Sequence, residues 1–437
     1  MANPAWPAPL KDYARNTVRV RPGKSARTLF EGWGHRSIFQ EGILTPDSNH
    51  EPVTIAFPFV GGAVGGSHIS AVQLIKGLDP REFRPLVVLH REEAPTIDLL
   101  SSEGIAFERA PTEACFDPAG PDKLRQLAAA PRLTMVLERF LRQRGVRIVH
   151  TNDGPMHATW ALPARLAGAK LLWHHRGNPR AAGLRFLAPW LANRVVSVSR
   201  FASPPPGLIS AANRNSVVHS PFDTSIADAA SMDARAMTTM APWVEMAQLG
   251  LPPGARLLGF FGHLIDRKRP LQFVETVAAI TARCTDMPVA GLMFGEALEP
   301  GLDVAVMERA RELGVADRIR LMGFRTPPEP WLEACDILVV TAVDEPYGRT
   351  LVEAMLLGTP VVAAASGGNV EAIRHGETGV LVPPDRPEAF ANAIIALLEE
   401  PVAAAALAAT ARTEALARYG IAGHVRSISD IYRQLAA

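Results

Sequence analysis

From residue 53 onward, short apolar segments alternate with segments of helical spacing. The apolar segments of the first half are residues 53–60, 84–90, 146–150, 169–175 and 193–199. Helical spacing occurs between them, for example at 67–78 and 131–145. Short apolar runs that alternate with helices are typical of parallel strands buried on both faces. The pattern therefore predicts βαβ units, with helices on both sides of a parallel sheet.

A second series of the same kind begins at residue 255. Its apolar segments are residues 255–262, 288–295, 318–324, 336–342, 359–365 and 378–384, and helical stretches at 386–400 and 424–436 close the chain. The sequence thus predicts an α/β fold of two doubly wound Rossmann-like domains, which face a central cleft at the carboxyl ends of their strands.

The domain boundaries follow from where this rhythm starts and stops. We expect a leader at 1–50, an N-terminal domain at 51–222, a helix and linker at 223–254, a C-terminal domain at 255–415 and a final helix at 416–437. We expect the final helix to pack back on the N-terminal domain.

Composition restricts the class of partner and the compartment. The net charge is +1 over 437 residues, so the charge balance favours neither nucleic acid nor an anionic membrane. The three cysteines are far apart, and neither a secretory signal nor an apolar run of about 18 residues occurs. We therefore expect a cytoplasmic protein. The basic leader is interpreted as a strap on the first domain, with a membrane-facing or partner-facing arm as the alternative.

The segment EPYGRTLVEAM at 345–355 places two carboxylates eight positions apart. Glu345 comes at the carboxyl end of a predicted strand, Gly348 permits a sharp turn, and a helix begins near Thr350. A helix N-terminus offers unpaired N–H donors to an anion. Glu353 lies one turn into this helix, where it can accept two hydrogen bonds from a ribose diol. The spacing fits a sugar-nucleotide site, and it fits equally well a helix N-terminus stabilised by its own acidic residues.

Three other loops lie at the same predicted sheet edges. HLIDRKRP at 263–270 carries Arg267 and Lys268, which can neutralise a diphosphate; a solvated run of charges is the alternative. SGGNVEAI at 366–373 leads into a helix and offers a second anion or hydroxyl site. FPFVGGAVGGSHIS at 57–70 has the order GGxxGG, so it does not meet the dinucleotide fingerprint, but its glycines allow a ligand to approach the backbone.

Taken together, these motifs resemble glycosyltransferase family 4, a family of retaining enzymes with the GT-B fold. The resemblance spans about residues 53–435 and rests on motifs in a fixed order: GGAVGGS, VHTND, LLWHHRGN, VVSVSRF, VVHSPFD, GHLIDRKRP, GFR, EPYGRTLVEAMLLGTPVVAAASGGNVEAI and HGETGVLVPP. The most specific part is the E-x7-E element with GTPVVA and paired glycines behind it.

The resemblance implies roles for single residues of the E-x7-E element and of the basic loop. Glu345 would contact the donor sugar, Glu353 would hold the ribose, and Lys268 would contact the diphosphate. Backbone amides that would surround the sugar and phosphate belong to Tyr347, Gly348, Arg349, Thr350 and Leu351.

One position departs from the family pattern. The usual arginine partner of the loop lysine, five positions before Lys268, is His263 here. Histidine carries a weaker and pH-dependent charge, so we expect Arg267 or Arg269 to compensate. The resemblance further places the following residues near the ligand: Phe324 and Arg325 beside the base, His174 or His175 near the reacting sugar, and Gly65 and Gly66 near the phosphates. Of the two histidines, we expect one to face the cleft.

The implied reaction moves a sugar from a nucleoside diphosphate, such as UDP or GDP, to an acceptor hydroxyl with retained anomeric configuration. The acceptor would be a glycan, a lipid-linked or a small molecule, in the synthesis of a glycan, polysaccharide or glycolipid. The sequence contains neither a D-x-D triplet nor an HExxH motif, so we expect neither a metal nor another cofactor. The alternatives are a non-catalytic sugar-nucleotide-binding protein of GT-B fold and a sugar-nucleotide epimerase.

Overall fold

The computed structural model describes residues 51–62, 64–117, 122–228 and 249–437. The predicted leader and most of the predicted linker lie outside these described residues. Pro52–Ala437 form one compact unit that contains both predicted Rossmann-like domains.

Within the described residues, seven parallel strands form the N-terminal sheet, in the order β3-β2-β1-β4-β5-β6-β7. The strands are β1 (Val53–Phe59), β2 (Phe83–Leu89), β3 (Phe107–Arg109), β4 (Ile148–Thr151), β5 (Lys170–His175), β6 (Arg194–Ser197) and β7 (Asn215–Val217). The connecting helices are α1 (Gly66–Gly77), α2 (Ala94–Ser102), α3 (Lys123–Gln143), α4 (Gly154–Ala167) and α5 (Ala188–Leu191), the last of which follows a π-helical turn at Gly183–Leu187. β1 is an inner strand of the sheet, and the strand order reverses between β1 and β4.

The C-terminal sheet repeats this plan with six parallel strands in the described residues, in the order β10-β9-β8-β11-β12-β13. The strands are β8 (Arg256–Phe261), β9 (Val289–Phe294), β10 (Ile319–Gly323), β11 (Ile337–Val340), β12 (Val361–Ala364) and β13 (Val380–Val382). The helices are α6 (Pro270–Arg283), α7 (Leu302–Glu312), α8 (Glu329–Ala334), α9 (Arg349–Leu357), α10 (Asn369–Ala372), α11 (Pro387–Glu399), α12 (Pro401–Arg418) and α13 (Ile421–Ala436). Here the strand order reverses between β8 and β11.

Burial on both faces explains the apolar runs of the sequence. Every residue of β9 is buried, and side chains of the C-terminal sheet contribute to two apolar clusters, one on each face. The prediction of two doubly wound parallel sheets is therefore confirmed. The final helix α13 packs against α1, where Ile428 and Tyr432 join a cluster with Ile55 of β1.

Four elements differ from the sequence prediction, and one of them is α12, which lies between the two predicted closing helices at 386–400 and 424–436. Helix α3 begins at Lys123 rather than at Pro131, which lies exposed inside the helix. Proline removes only one backbone donor there, and the apolar face that includes Leu137 continues past it. The strands β3 and β7 were not predicted, because each has three residues and no fully buried apolar run.

No single helix of the described ranges is long and apolar enough to cross a membrane; α11 and α12 meet that composition only as a pair, bent by 103°.

Candidate functional site

The carboxyl edges of the two sheets border one cavity of about 930 Å³. On the C-terminal side it is lined by the loops after β8 and β11, the two strands between which the strand order reverses. On the N-terminal side it is lined by the start of α1 and by the loops after β4 and β5. Ligands of open α/β sheets bind at such reversal points, so this cavity is the candidate site.

The turn between β11 and α9 is held in place by close backbone packing. Gly348 has φ +73°, which lets the chain turn sharply into α9. The paired glycines of the next loop lie against this turn, and a Cβ on Gly367 would come within 2.5 Å of the Glu345 carbonyl oxygen. The Gly368 amide donates a hydrogen bond to that carbonyl at 2.6 Å. The two glycine-containing motifs therefore form one rigid backbone support for Glu345.

The Glu345 carboxylate pairs with the two cations of the basic loop that line the cavity. Its Oε2 lies 2.8 Å from Lys268 Nζ and accepts a hydrogen bond from Arg267 Nη1 at 2.6 Å. Burial raises the pKa of Glu345, but the charges of Lys268 and Arg267 outweigh burial and hold it below its ordinary value. Two cations facing one carboxylate leave a net positive charge at the cavity wall, as a diphosphate site requires.

Arg349 connects the second glutamate to the N-terminal domain. Its Nη2 donates to Glu353 Oε1 at 3.2 Å, and its Nη1 lies 3.2 Å from both Ser70 Oγ and the Pro221 carbonyl. The guanidinium carbon also lies 4.6 Å from the ring centroid of Phe222. Burial raises the pKa of Glu353, and Arg349 opposes that effect. Arg349 therefore links the two domains at the edge of the cavity.

The N-terminal wall of the cavity carries the titratable side chains of His175 and Asp153 among many apolar ones. His175 is 4% exposed, and its Nε2 donates a hydrogen bond to the Asn178 carbonyl at 3.0 Å, which leaves Nδ1 as an acceptor. Burial lowers the pKa of His175, so the ring is neutral at pH 7. Asp153 accepts a hydrogen bond from the Met156 amide at 2.9 Å and caps α4. Burial raises the pKa of Asp153 to about 6.

The structure brings nine of the predicted residues to the cavity: Gly66, His175, Arg267, Lys268, Glu345, Tyr347, Gly348, Arg349 and Thr350. The other predicted residues are not among those that line it: Gly65, His174, His263, Phe324, Arg325, Leu351 and Glu353. Leu351 is fully buried in the C-terminal core. Phe324 is 59% exposed, and Arg325 lies over the Trp331 ring.

His174 and His175 point in opposite directions, as neighbours in a strand do. His174 is fully buried, and its Nδ1 lies 3.0 Å from His150 Nε2, away from the cavity. Tyr432 of α13 contacts the other nitrogen of His150. His174 thus belongs to a buried polar cluster that connects α13 to the N-terminal sheet, and His175 is the histidine of this pair at the cavity.

The structure distinguishes between the two arginines expected to compensate for His263. Arg267 pairs with Glu345 in the cavity. Arg269 pairs with Asp266 at 2.9 Å and with Asp385 at 3.1 Å, and it does not line the cavity. Of the two alternatives, Arg267 is therefore the one at the cavity, and the backbone of Arg269 adopts a left-handed conformation with φ 53°.

Sequence reasoning missed Arg176, Asn152 and Ser220, which all line the cavity. Asn152 and Arg176 each follow the end of a strand-like segment, and that position was the available signal. Ser220 follows β7, which has no apolar run of its own, so it had no such signal. Arg176 directly follows the two histidines of the LLWHHRGN motif.

The C-terminal domain resembles a known family. Residues 255–400 match the model of the family Glycosyl transferases group 1. This segment contains the basic loop and the complete E-x7-E element.

Curated relatives have a common description. The chain is 33% identical over 191 residues to D-inositol 3-phosphate glycosyltransferase of Corynebacterium urealyticum, covering 43% of this chain and 45% of the relative. It is 34% identical over 200 residues to the protein of that description from Thermobispora bispora, with coverage of 43% and 45%. The chain thus matches slightly less than half the length of these curated relatives.

Solved structures match most of the chain. HepE of Anabaena in complex with UDP-glucose has a TM-score of 0.71 and 23% identity, and the match covers 87% of this chain and 99% of HepE. A glycosyltransferase from Rickettsia africae has a TM-score of 0.74 and 18% identity, with coverage of 89% and 99%. These neighbours confirm the prediction of a GT-B fold.

Proposed function

We propose that the protein is a retaining glycosyltransferase of family 4, which transfers a sugar from a nucleoside-diphosphate sugar to an acceptor hydroxyl. The observation that carries the proposal is the arrangement of Glu345, Lys268 and Arg267 at the reversal point of the C-terminal sheet. The match of residues 255–400 to Glycosyl transferases group 1 and the UDP-glucose complex of HepE support it.

In this proposal the diphosphate binds between the basic loop and the N-terminus of α9. Lys268 and Arg267 are held by Glu345 before any ligand arrives, so little reorganisation is needed when the leaving diphosphate gains negative charge. The amides at the start of α9 add unpaired donors at a helix N-terminus. These cations and amides serve the leaving group directly, and we propose that transfer needs neither a metal nor another cofactor.

The sugar would then lie between Glu345 and the N-terminal wall. His175 presents a neutral ring there with Nδ1 as an acceptor, so it can accept a hydrogen bond from a sugar hydroxyl. The acceptor would bind on the side of the cavity that the N-terminal domain lines. Glu353, paired with Arg349, is proposed to hold the ribose after Arg349 gives up part of that contact.

A thermal-shift screen tests the proposal. UDP, GDP, ADP and TDP, and their common sugars, are added to the full chain with a metal chelator present. At about 100 times its dissociation constant, one bound nucleotide adds ~2.7 kcal/mol of stability. We expect one nucleotide to stabilise the protein selectively. The corresponding nucleotide sugar should yield free nucleotide when an acceptor is present.

The anomeric configuration of the product is measured in a separate experiment. Product formed from an α-linked donor is expected to keep the α configuration in its NMR spectrum. A protein that no nucleotide stabilises and that releases none would contradict the proposed function; an inverted product would contradict the assignment to family 4.

A further inference from the structure

Arg176 follows strand β5 and lines the N-terminal wall of the cavity. Its Nη1 donates to Ser220 Oγ at 3.1 Å, and its Nε and Nη2 each lie 3.4 Å from Asn152 Oδ1. Its Nη2 also lies 3.3 Å from His174 Nδ1. All of these partners are neutral. In the described part of the chain, no carboxylate lies within ion-pair distance of this guanidinium, and Arg349, the nearby charge, has the same sign.

The other partly buried cations of the cavity differ from Arg176 in this respect. Arg349 is paired with Glu353, and Lys268 is paired with Glu345. Burial, together with the charge of Arg349, lowers the pKa of Arg176 to about 9, so the side chain still carries its proton at pH 7. A buried charge without a counter-ion is unfavourable, and a bound anion is one way to compensate it.

Asn152 supplies a second, independent observation at the same place. Its side chain is 2% exposed, and its Nδ2 has no hydrogen-bond partner although it is buried. Buried amide donors are normally paired, and a small rotation of this amide toward a bound anion would satisfy a donor that now has no partner. The contacts of Arg176 with its neutral partners use four of its five N–H groups and leave one Nη1 hydrogen free. A guanidinium charge with a free N–H suits the oxygens of a phosphate or a carboxylate.

We propose that Arg176 and Asn152 form an anion-binding subsite and that it holds an anionic group of the acceptor. The subsite lies at the carboxyl ends of β4 and β5, on the domain opposite the basic loop. The donor diphosphate has its own cations, Lys268 and Arg267, on the C-terminal side. That the bound anion belongs to an acceptor rests on the proposed function. The existence of the subsite rests on Arg176 and Asn152 alone.

The test compares three proteins: wild type, Arg176→Gln and the matched control Arg180→Gln. Arg180 lies in the same loop, is exposed and does not line the cavity, so its replacement makes the same charge change outside the subsite. Inorganic phosphate and glucuronate are titrated separately into each protein, with the nucleoside diphosphate that gave the largest thermal shift present at saturation. The two ligands distinguish a phosphate ester from a carboxylate as the acceptor's anionic group.

We expect at least one anion to bind the wild type and the Arg180→Gln variant alike, and to bind Arg176→Gln about tenfold or more weakly. A fourth protein, Arg176→Lys, keeps the charge but loses the planar guanidinium, and it should give an intermediate affinity. Equal anion binding by wild type and Arg176→Gln, or no anion binding by any of them, would overturn the subsite.

Two further readouts keep the subsite separate from the donor site. Affinity for the nucleoside diphosphate should be the same in wild type and Arg176→Gln, which also shows that the variant is folded. If that affinity falls as far as the affinity for phosphate, Arg176 belongs to the donor site and the acceptor assignment is overturned. If no nucleotide binds even the wild type, the proposed function fails, and the same three-protein titration without nucleotide still decides whether the subsite exists.

Discussion

Replacing Lys268 by methionine tests the diphosphate site most sharply, because the chain offers a matched control next to it. Lys268 Nζ lies 2.8 Å from Glu345 Oε2 at the cavity, with 17% of its side chain exposed. The adjacent Arg269 pairs with Asp266 and Asp385 outside the cavity. Lys268→Met should therefore weaken nucleotide binding, and Arg269→Met should not.

The magnitude follows from the loss of one contact to a charged group. Such hydrogen bonds contribute about 1.5–3 kcal/mol, which corresponds to a roughly 10- to 150-fold increase in the dissociation constant of the nucleoside diphosphate. The free energy of unfolding should change by only about 1 kcal/mol, because Arg267 still pairs with Glu345 and keeps its carboxylate compensated.

The assay is isothermal titration of the nucleoside diphosphate into both variants and the wild type, with unfolding curves as a check on the fold. We expect a weaker Lys268→Met complex and an Arg269→Met complex within about twofold of the wild type. Equal weakening in the two variants would mean that the basic loop acts only through its overall charge. No weakening in either would remove Lys268 from the site.

Three further predictions concern stability and pH. Arg349→Met leaves Glu353 largely buried without a partner and should lower the free energy of unfolding by roughly 3 kcal/mol. Adding Glu353→Gln to this variant should restore part of that loss. If denaturant unfolding shows that the two substitutions have additive effects, the pairing is contradicted. In Gly367→Ala the new Cβ would lie 2.5 Å from the Glu345 carbonyl oxygen at a left-handed φ of +57°, and the protein should lose about 2–4 kcal/mol of unfolding free energy. Gly376→Ala, with φ +78° and open space around it, should lose only about 1–2 kcal/mol. Similar losses for the two variants in thermal unfolding would refute the close approach. Burial raises the pKa of Asp153 from 3.8 to about 6, so the folded protein binds a proton that the unfolded chain releases, and stability should fall as pH rises from 4 to 6. In urea unfolding at several pH values, Asp153→Asn should remove up to about 3 kcal/mol of that fall. A pH profile that the substitution leaves unchanged would show that the carboxyl is not buried in solution.

The fold could be predicted from the sequence because buried parallel strands are continuous apolar runs. β9 is buried at every residue and was evident at 288–295. The three-residue edge strands β3 and β7 were not evident in the sequence, since their formation depends on pairing with a neighbouring strand rather than on an apolar pattern of their own.

The candidate site could be predicted only in part. Glu345 and Lys268 lie in loops after strands that meet at the reversal point of one sheet, so their position could be inferred from the order of elements. The side-chain pairing of Arg349 with the N-terminal domain could not, because the contact with Ser70 joins residues 279 positions apart. The unpaired charge of Arg176 is likewise a property of its surroundings, which sequence spacing does not specify.

The direction of the Arg269 side chain shows the same limit at short range. Arg267, Lys268 and Arg269 are consecutive in the sequence, yet the first two pair with Glu345 and the third with acids outside the cavity. Arg269 itself adopts a left-handed conformation at the end of a short 3₁₀ turn that contains Arg267 and Lys268. Charge runs in loops therefore need backbone geometry before their residues can be assigned to a site.

Hydrogen–deuterium exchange with the bound nucleotide tests the central claim most directly. We expect the nucleoside diphosphate to protect the backbone amides of peptides that cover 262–268 and 347–353, on the two loops that carry the paired cations and the start of α9. Protection of these two regions together would place the diphosphate at the reversal point of the C-terminal sheet. Nucleotide binding that protects other peptides and leaves both regions unchanged would contradict the account.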